Sequence, residues 1–197
     1  MPKIVDHDAY REQILEGCYE LFAREGYAAI TLRRLSKELG ISTGAIYHYF
    51  ESKEAIFEQT VAYIARQELS SAILEVQSGT TREERLLSLV RFLHEHDERL
   101  RLLLMLIFDF SRQSVSAADS DIFSIALNTY VDAIIANLPE IPAEDARFVV
   151  DMLLGTVVRR VLIRNDDDFD AHMRWLVPDL PESPAPNSSA KPPVSSD

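Results

Sequence analysis

Side chains that can bind phosphate or a base edge are concentrated in residues 31–53. The cationic residues of this stretch are Arg33, Arg34, Lys37 and Lys53, and its acidic residues are Glu38 and Glu51. The stretch is therefore locally positive, although the formal net charge of the whole chain is -12. At moderate salt, charges more than about 10 Å away are largely screened from a bound phosphate. A polyanionic partner at this stretch is thus compatible with an acidic protein.

The segment TGAIYHYF, residues 43–50, lacks Arg, Lys, Asn and Gln, the side chains that pair best with base edges. As a short helix it would attract phosphate through the backbone N–H groups of its first turn. Gly44 has no Cβ, so the backbone there can approach a nucleic acid closely. Arg33 is the strong candidate for a bidentate contact with guanine.

Two short helices are predicted to position these groups. Thr31 is suited to cap the first helix, which Gly40 ends, and Ser42 is suited to cap the second, over 43–50. Within the second helix, Ile46 and Phe50 are four residues apart and should face inward. Two short helices joined by a tight turn form the helix-turn-helix arrangement.

Hydrophobic periodicity along the rest of the chain is helical, which predicts an all-α fold. We expect helices over 8–24, 31–39, 43–50, 53–77, 82–95, 98–112, 120–138, 143–164 and 168–176. Residues 178–197 contain six prolines and five serines, a composition typical of a disordered tail. No stretch of about 18 apolar residues exists, so we expect no membrane span, and the N-terminus lacks a signal core. A cytoplasmic location is the resulting expectation.

The segment GYAAITLRRLSKELGISTGAIYHYFESKEAIF, residues 26–57, resembles the DNA-binding domain of the TetR family of regulators. The resemblance covers about residues 8–57, and beyond them only length and helicity agree. It implies a three-helix DNA-binding domain over 1–52 with its helix-turn-helix at 31–50. A larger helical domain for effector binding and dimerisation would follow over 53–177, and the tail over 178–197.

The resemblance assigns roles to individual residues of this DNA-binding domain, the head of the protein (residues 1–52). Positions near bases would be Thr43, Gly44, Ala45 and His48, and those that hold phosphates would be Tyr47, Tyr49 and Lys53. Thr31 and Arg33 would anchor the backbone or touch a base. Arg34 is a further candidate for DNA contact, although a solvated helix face explains Arg34 and Lys37 equally well.

The resemblance also implies a homodimer on a palindromic operator in double-stranded DNA, released by a small hydrophobic effector. Dimerisation residues would be Ile134, Val150, Leu154, Gly155 and Val158, on helices that could instead form the domain's own core. The effector pocket would be lined by Phe92, Met105, Phe108, Asp109 and Phe123, although an apolar helical stripe is more often ordinary core than a ligand pocket. A repressor is the leading interpretation.

Catalytic motifs are missing from the sequence, so we expect no enzyme, no catalytic residues and no cofactor. His94 and His96 are two apart and point to opposite sides of a helix, which argues against a metal site. Cys18 lies on an apolar stripe and is interpreted as a core residue. The alternatives left open are a helical adaptor or activator that uses the same head, and a small helical enzyme.

Overall fold

The computed structural model describes residues 7–113, 121–139 and 141–163, although the side chains of 113 and 121–126 are outside that description. These residues form eight helices, and the predicted all-α fold is confirmed. The helices are α1 His7–Glu25, α2 Leu32–Leu39, α3 Thr43–Tyr49, α4 Lys53–Ser78, α5 Arg82–Glu95, α6 Asp97–Gln113, α7 Asp121–Asn137 and α8 Ala143–Leu162. The predicted helix 168–176 and the tail 178–197 lie outside the described residues.

Local signals set the ends of the short helices. The Thr31 hydroxyl accepts from the amide of Arg34 at 3.2 Å, and the Ser42 hydroxyl accepts from the amide of Ala45 at 3.0 Å. Gly40 ends α2 in the left-handed region, with φ of 66°, which a residue with a Cβ adopts only at a cost. The chain can therefore turn sharply between α2 and α3.

The helices of the head pack on a core that continues into the rest of the protein. Ile46 and Phe50 of the helix-turn-helix are buried together with Leu35, as the spacing predicts. The same core includes Phe57 of α4 and Phe110 of α6, whose rings stack with centroids 4.6 Å apart. Packing thus crosses the predicted domain boundary between residues 52 and 53.

A second core lies at the other end of α4, among α4, α5, α7 and α8. Its buried residues include Val76, Leu89, Leu138 and Val149. Because α4 contributes to both cores, it joins the head to the larger helical part. Among the described residues, none of the helices combines the length and the apolar composition that crossing a bilayer requires.

Candidate nucleic-acid interface and internal cavity

Helix α3 buries one side and exposes the other. Ile46 is 1% exposed, whereas Tyr47 is 57% exposed and His48 is also exposed. Thr43 and Ala45 are half-buried, and the Thr43 hydroxyl donates to the buried Ser36 hydroxyl at 3.3 Å. The outward side chains are therefore available to a partner, while the inward ones fix the helix on the head.

Gly44 is exposed near the start of α3. A Cβ built on it would meet only the Ser42 hydroxyl oxygen, at 3.8 Å, which is an ordinary contact. The protein's own packing therefore tolerates a side chain at this position. A need for glycine there would have to come from something that approaches from outside.

Of the three candidates around the start of α2, Thr31 and Arg33 are exposed, whereas Arg34 is engaged by carboxylates. The Arg34 guanidinium donates to Glu25 at 2.8 Å and lies 3.6 Å from Glu38. The hydrogen bond with Glu25 raises the pKa of Arg34 above its usual value and lowers that of Glu25. Arg33 is thus the more accessible of the two guanidiniums.

Lys53, the first residue of α4, is half-buried, with its Nζ 4.0 Å from the centre of the Tyr27 ring. Burial lowers the pKa of this amine, and the nearby charges of Glu54 and Asp109 act in the opposite direction. The Tyr27 hydroxyl donates to Glu54 at 2.9 Å. Lys53 therefore rests on an aromatic face at the junction between the head and α4.

The sequence analysis missed the start of α1 as part of this surface. His7, Asp8 and Arg11 form a shallow depression together with His48 and Tyr49. Nδ1 of His7 lies 3.0 Å from the Tyr49 hydroxyl, so the half-buried Tyr49 is held by α1. The sequence shows an imidazole and a guanidinium side chain near the start of this helix. Only the tertiary structure shows that they lie beside His48 and Tyr49 of α3.

A cavity of about 190 Å³, partly open to solvent, lies between α4, α5, α6, α7 and α8. Most of its wall is aliphatic. The lining residues are Val61, Ala65, Glu68, Leu69, Ala72, Ile73, Val76, Leu89, Phe92, Leu93, Leu100, Leu103, Leu104, Ile107, Leu127, Tyr130, Ala133, Ile134, Asn137, Leu138, Val150, Leu153, Leu154 and Val157.

The predicted effector residues are only partly brought together at this cavity. Phe92 lines it, whereas Met105 and Phe108 are 50% and 45% exposed and do not. Asp109 lies outside the lining and accepts a hydrogen bond from the amide of Tyr27. The side chain of Phe123 lies outside the described residues. The apolar run of α6 continues around the helix, so the sequence did not reveal which face would be buried.

The predicted dimerisation residues also divide into two groups. Ile134, Val150 and Leu154 line the cavity. Val158 is half-buried, and Gly155 is exposed with no atom within 4 Å of the position of a Cβ. The first group thus contributes to the chain's own interior, which is the alternative that the sequence left open.

Large apolar side chains on α7 and α8 remain exposed beside these residues. Phe148 and Leu162 of α8 are 56% and 76% exposed, and Ile135 of α7 is 44% exposed. Phe148, Gly155 and Leu162 are seven residues apart and so lie along one side of the helix. This side of α8 therefore exposes large apolar side chains, with the exposed Asp151 among them.

Glu68 places a carboxylate in the wall of the cavity, where it is 4% exposed. Its Oε1 lies 2.5 Å from Nε of Arg99, and its Oε2 lies 2.7 Å from Nδ1 of His96. Arg99 also donates to Glu16 of α1 at 3.3 Å, and its guanidinium stacks over the Tyr19 ring. A polar chain therefore runs from the cavity wall through α6 to the first helix of the head.

His94 and His96 have different surroundings, since His94 is exposed and His96 contacts Glu68. No group of three or more potential metal ligands occurs among the described residues. Cys18 is fully buried, and burial raises the pKa of its thiol to about 12. Such a thiol is protonated at neutral pH and packs as a small apolar residue.

The head matches a known family of bacterial proteins. Residues 14–60 match the model of the bacterial regulatory proteins of the tetR family. The chain is 49% identical over 59 residues to the HTH-type transcriptional repressor Rv1474c of Mycobacterium tuberculosis, covering 29% of this chain and 32% of that protein. It is 38% identical over 73 residues to the repressor AcnR of Corynebacterium efficiens, covering 35% and 39% respectively. The match thus spans 32% and 39% of the length of these relatives, well under two thirds.

Solved structures resemble the chain over most of its length. The regulator SCO7518 of Streptomyces coelicolor aligns with a TM-score of 0.72 at 16% identity, covering 85% of this chain and 96% of that one. A TetR regulator of Haloarcula marismortui aligns with 0.70 at 22%, covering 87% and 96%. FadR of Bacillus subtilis, solved with stearoyl-CoA, aligns with 0.65 at 19%, covering 85% and 98%. At these identities the likeness concerns the fold.

Residues 14–60 thus match the tetR family of bacterial regulatory proteins, and the described chain shares the all-α fold of solved regulators.

Proposed function

We propose that this protein is a DNA-binding transcriptional regulator that acts as a repressor. The observation that carries the proposal is the outward face of α3, where Tyr47 and His48 are exposed while Ile46 and Phe50 hold the helix in place. The similarity to proteins named as HTH-type transcriptional repressors supports the same function.

Few direct base contacts are available on this face, so phosphates should supply most of the affinity. Tyr47, Tyr49 and Lys53 are the proposed phosphate contacts, and His7 and Arg11, which share a depression with His48 and Tyr49, are proposed as further ones. Thr43, Ala45 and His48 would meet base edges or thymine methyl groups, and Arg33 would meet a guanine. Sequence preference would then depend partly on the shape and deformability of the duplex.

A homodimer on a palindromic operator forms part of the proposal. One head reads half a palindrome, and two heads must lie about 34–36 Å apart, or a multiple of it, to reach successive major grooves on one side. The exposed side chains of Phe148 and Leu162 on α8, with Gly155 between them, support pairing of two copies there. Gly155 would let the backbones approach closely.

Release by a small hydrophobic effector completes the proposed mechanism. The cavity lies between helices that also contact the head. Helix α6 lines the cavity with one face and packs on the core of the head with another. An effector can act only through a difference in its affinity for the DNA-bound and the released arrangement of the heads. Expansion of the cavity would move α4 and α6, and Asp109 and Arg99 would transmit the movement to Tyr27 and Glu16.

Selection from a randomised duplex pool with the full chain tests the function. We expect enrichment of a palindrome that the protein then binds in a salt-sensitive way, measured by fluorescence anisotropy. Native mass spectrometry of the complex should show two copies per duplex. If no sequence is enriched and binding at micromolar protein does not depend on sequence, the proposed function is wrong.

A further inference from the structure

The polar groups in the wall of the internal cavity restrict the class of molecule that can fill it. Among the described lining residues, only Glu68, Tyr130 and Asn137 carry polar side-chain atoms, and the rest are hydrocarbon. A polar group of a ligand that does not reach the open side of the cavity must therefore be satisfied by these three residues or remain unsatisfied. An unsatisfied buried polar group costs about 1–3 kcal/mol.

Two of the three polar residues are already occupied by neighbouring groups. The Tyr130 hydroxyl donates to the carbonyl of Ala65 at 3.5 Å. The amide nitrogen of Asn137 donates to the carbonyl of Ala133 at 2.9 Å, and its oxygen accepts from Gln77 at 2.8 Å. What these two side chains chiefly offer a ligand is spare capacity to accept a hydrogen bond.

Glu68 is the third polar residue, and it disfavours an anionic ligand. Its two cationic or potentially cationic partners, Arg99 and His96, do not line the cavity. The described wall therefore presents a carboxylate and no positive charge. An anion would lose its hydration against a carboxylate that can only accept hydrogen bonds and a wall that offers no positive charge, which raises its free energy.

A cationic ligand is disfavoured for a different reason. The charge of Glu68 is already balanced by Arg99, and His96 is in contact with its other oxygen. A buried cation therefore gains little from it and still loses its hydration. The volume of about 190 Å³ lies below the roughly 300–1,000 Å³ of pockets for drug-sized ligands, so the molecule is small.

We propose that the cavity binds a small, neutral, aliphatic molecule that carries at most one hydrogen-bond donor, such as a hydroxyl, and that it rejects charged molecules with the same hydrocarbon tail. This inference rests on the proposed regulator function, in which that molecule is the effector. A single hydroxyl can donate to one of the remaining acceptors, while the tail contacts the leucine-rich wall.

Isothermal titration calorimetry of the full chain against three probes with one tail tests this ligand class. The probes are 1-octanol, octanoate and octyltrimethylammonium, at one pH and one salt concentration. We expect 1-octanol to bind at least tenfold more tightly than either charged probe. A smaller ratio, a reversed order or no binding of 1-octanol would overturn the proposal.

Two tryptophan variants of α4 locate the bound molecule. Leu69 lines the cavity, whereas Leu74, on the same helix, is 70% exposed and does not. Leu69→Trp should weaken 1-octanol binding at least tenfold, and Leu74→Trp should leave it within twofold. If circular dichroism shows that Leu69→Trp does not fold, Ala72→Leu fills the same wall with less volume and should weaken binding at least threefold. Unchanged binding in the folded wall variant places the probe elsewhere and overturns the proposal.

Glu68→Gln tests the role of the charge separately from the shape of the cavity. The preference for 1-octanol over octanoate should fall at least threefold in this variant, because the new amide can donate a hydrogen bond to octanoate and Arg99 is no longer balanced by the Glu68 carboxylate. An unchanged preference would show that Glu68 does not exclude anions.

The calorimetry uses no DNA, so the two proposals can fail independently. If the chain binds 1-octanol but enriches no duplex, the proposed ligand class stands and the proposed regulator function is wrong. If the chain binds an operator but does not bind 1-octanol, the proposed regulator function stands and the proposed ligand class is wrong. When both hold, saturating 1-octanol should weaken operator binding at least fivefold in the wild-type chain and leave it unchanged in Leu69→Trp.

Discussion

Asp109 of α6 accepts a hydrogen bond from the backbone amide of Tyr27, with 3.1 Å between N and Oδ2, across 82 positions of sequence. Tyr27 lies in the loop between α1 and α2 of the head. Asp109 follows directly on the part of α6 whose Leu104 and Ile107 line the cavity. This bond therefore joins the helix that contacts the cavity to the loop that precedes the helix-turn-helix.

Replacement of Asp109 should remove this hydrogen bond and lower the stability of the protein. A hydrogen bond to a charged group contributes about 1.5–3 kcal/mol, so Asp109→Ala should lower the free energy of unfolding by that amount. Urea denaturation followed by circular dichroism measures the loss. Asp109→Asn keeps an acceptor oxygen and should lose less than half as much. Equal stability of Asp109→Ala and wild type would mean that the bond contributes nothing.

Tyr47 and Lys53 should affect DNA binding in different ways, because only Lys53 carries a charge. Tyr47→Phe should weaken binding about threefold to tenfold through loss of one hydrogen bond of about 0.5–1.5 kcal/mol. It should leave the salt dependence unchanged. Lys53→Gln should reduce the slope of log affinity against log salt by about one. Anisotropy titrations at several salt concentrations measure both.

Arg91→Gln is the charge-matched control for Lys53→Gln. Arg91 is exposed on α5, outside the head, and its replacement also removes one positive charge. Its salt slope should equal that of wild type. A slope that falls equally in both variants would indicate that overall charge, rather than a phosphate contact at Lys53, determines the salt dependence.

Substitutions of two glycines should distinguish an effect on folding, expected at Gly40, from an effect on DNA binding, expected at Gly44. Gly40 has a φ of +66°, so Gly40→Ala should cost about 1–2 kcal/mol of stability even though no atom lies within 4 Å of the added Cβ. Gly44→Ala should not lower the melting temperature, since the nearest atom is 3.8 Å away. It should nevertheless weaken operator binding at least tenfold. Full binding by a stable Gly44→Ala variant would contradict close approach of DNA at this residue.

Thr60 offers a stabilising substitution. It is 1% exposed, and its hydroxyl has no hydrogen-bond partner in the described part of the chain. Thr60→Val keeps the branched shape, removes the unsatisfied group and should raise the free energy of unfolding by about 1 kcal/mol. The hydroxyl of the buried Thr156 donates to the carbonyl of Met152 at 3.0 Å, so Thr156→Val should give no gain. Chemical denaturation of the two variants distinguishes these outcomes.

Protonation of Glu84 at acid pH should reduce the stability that the capping hydrogen bonds at the start of α5 contribute. Hydrogen bonds from the Thr80 hydroxyl, and then from the amides of Thr80 and Thr81, lower the pKa of Glu84 below its ordinary value of 4.5. Because the folded pKa is the lower one, the stabilisation is present above pH 4.5 and is lost as the pH falls through the folded value. Glu84→Gln should therefore flatten the fall in stability below pH 4.5, measured by denaturation at a series of pH values. Glu83→Gln removes the same charge beside it and should leave the fall as steep as in wild type.

The sequence by itself determined most helix boundaries and the inward face of α3. Caps such as Thr31 and Ser42, and the left-handed Gly40, act within one turn, so their effect can be read from neighbouring residues. The same holds for Ile46 and Phe50, because spacing alone places them on one side of a short helix. The family of the head followed from the same stretch of residues.

Tertiary structure decided which face of each long apolar helix lies inside. Helix α6 carries apolar residues all around, so its sequence did not distinguish Ile107, which lines the cavity, from Phe108, which is exposed. Likewise, Ile134 and Val150, which the sequence analysis predicts as dimer contacts, line the cavity. The contacts of Glu68 with Arg99, and of Asp109 with Tyr27, join residues far apart in sequence. Local periodicity carries no information about such pairs, because they form only when whole helices pack against each other.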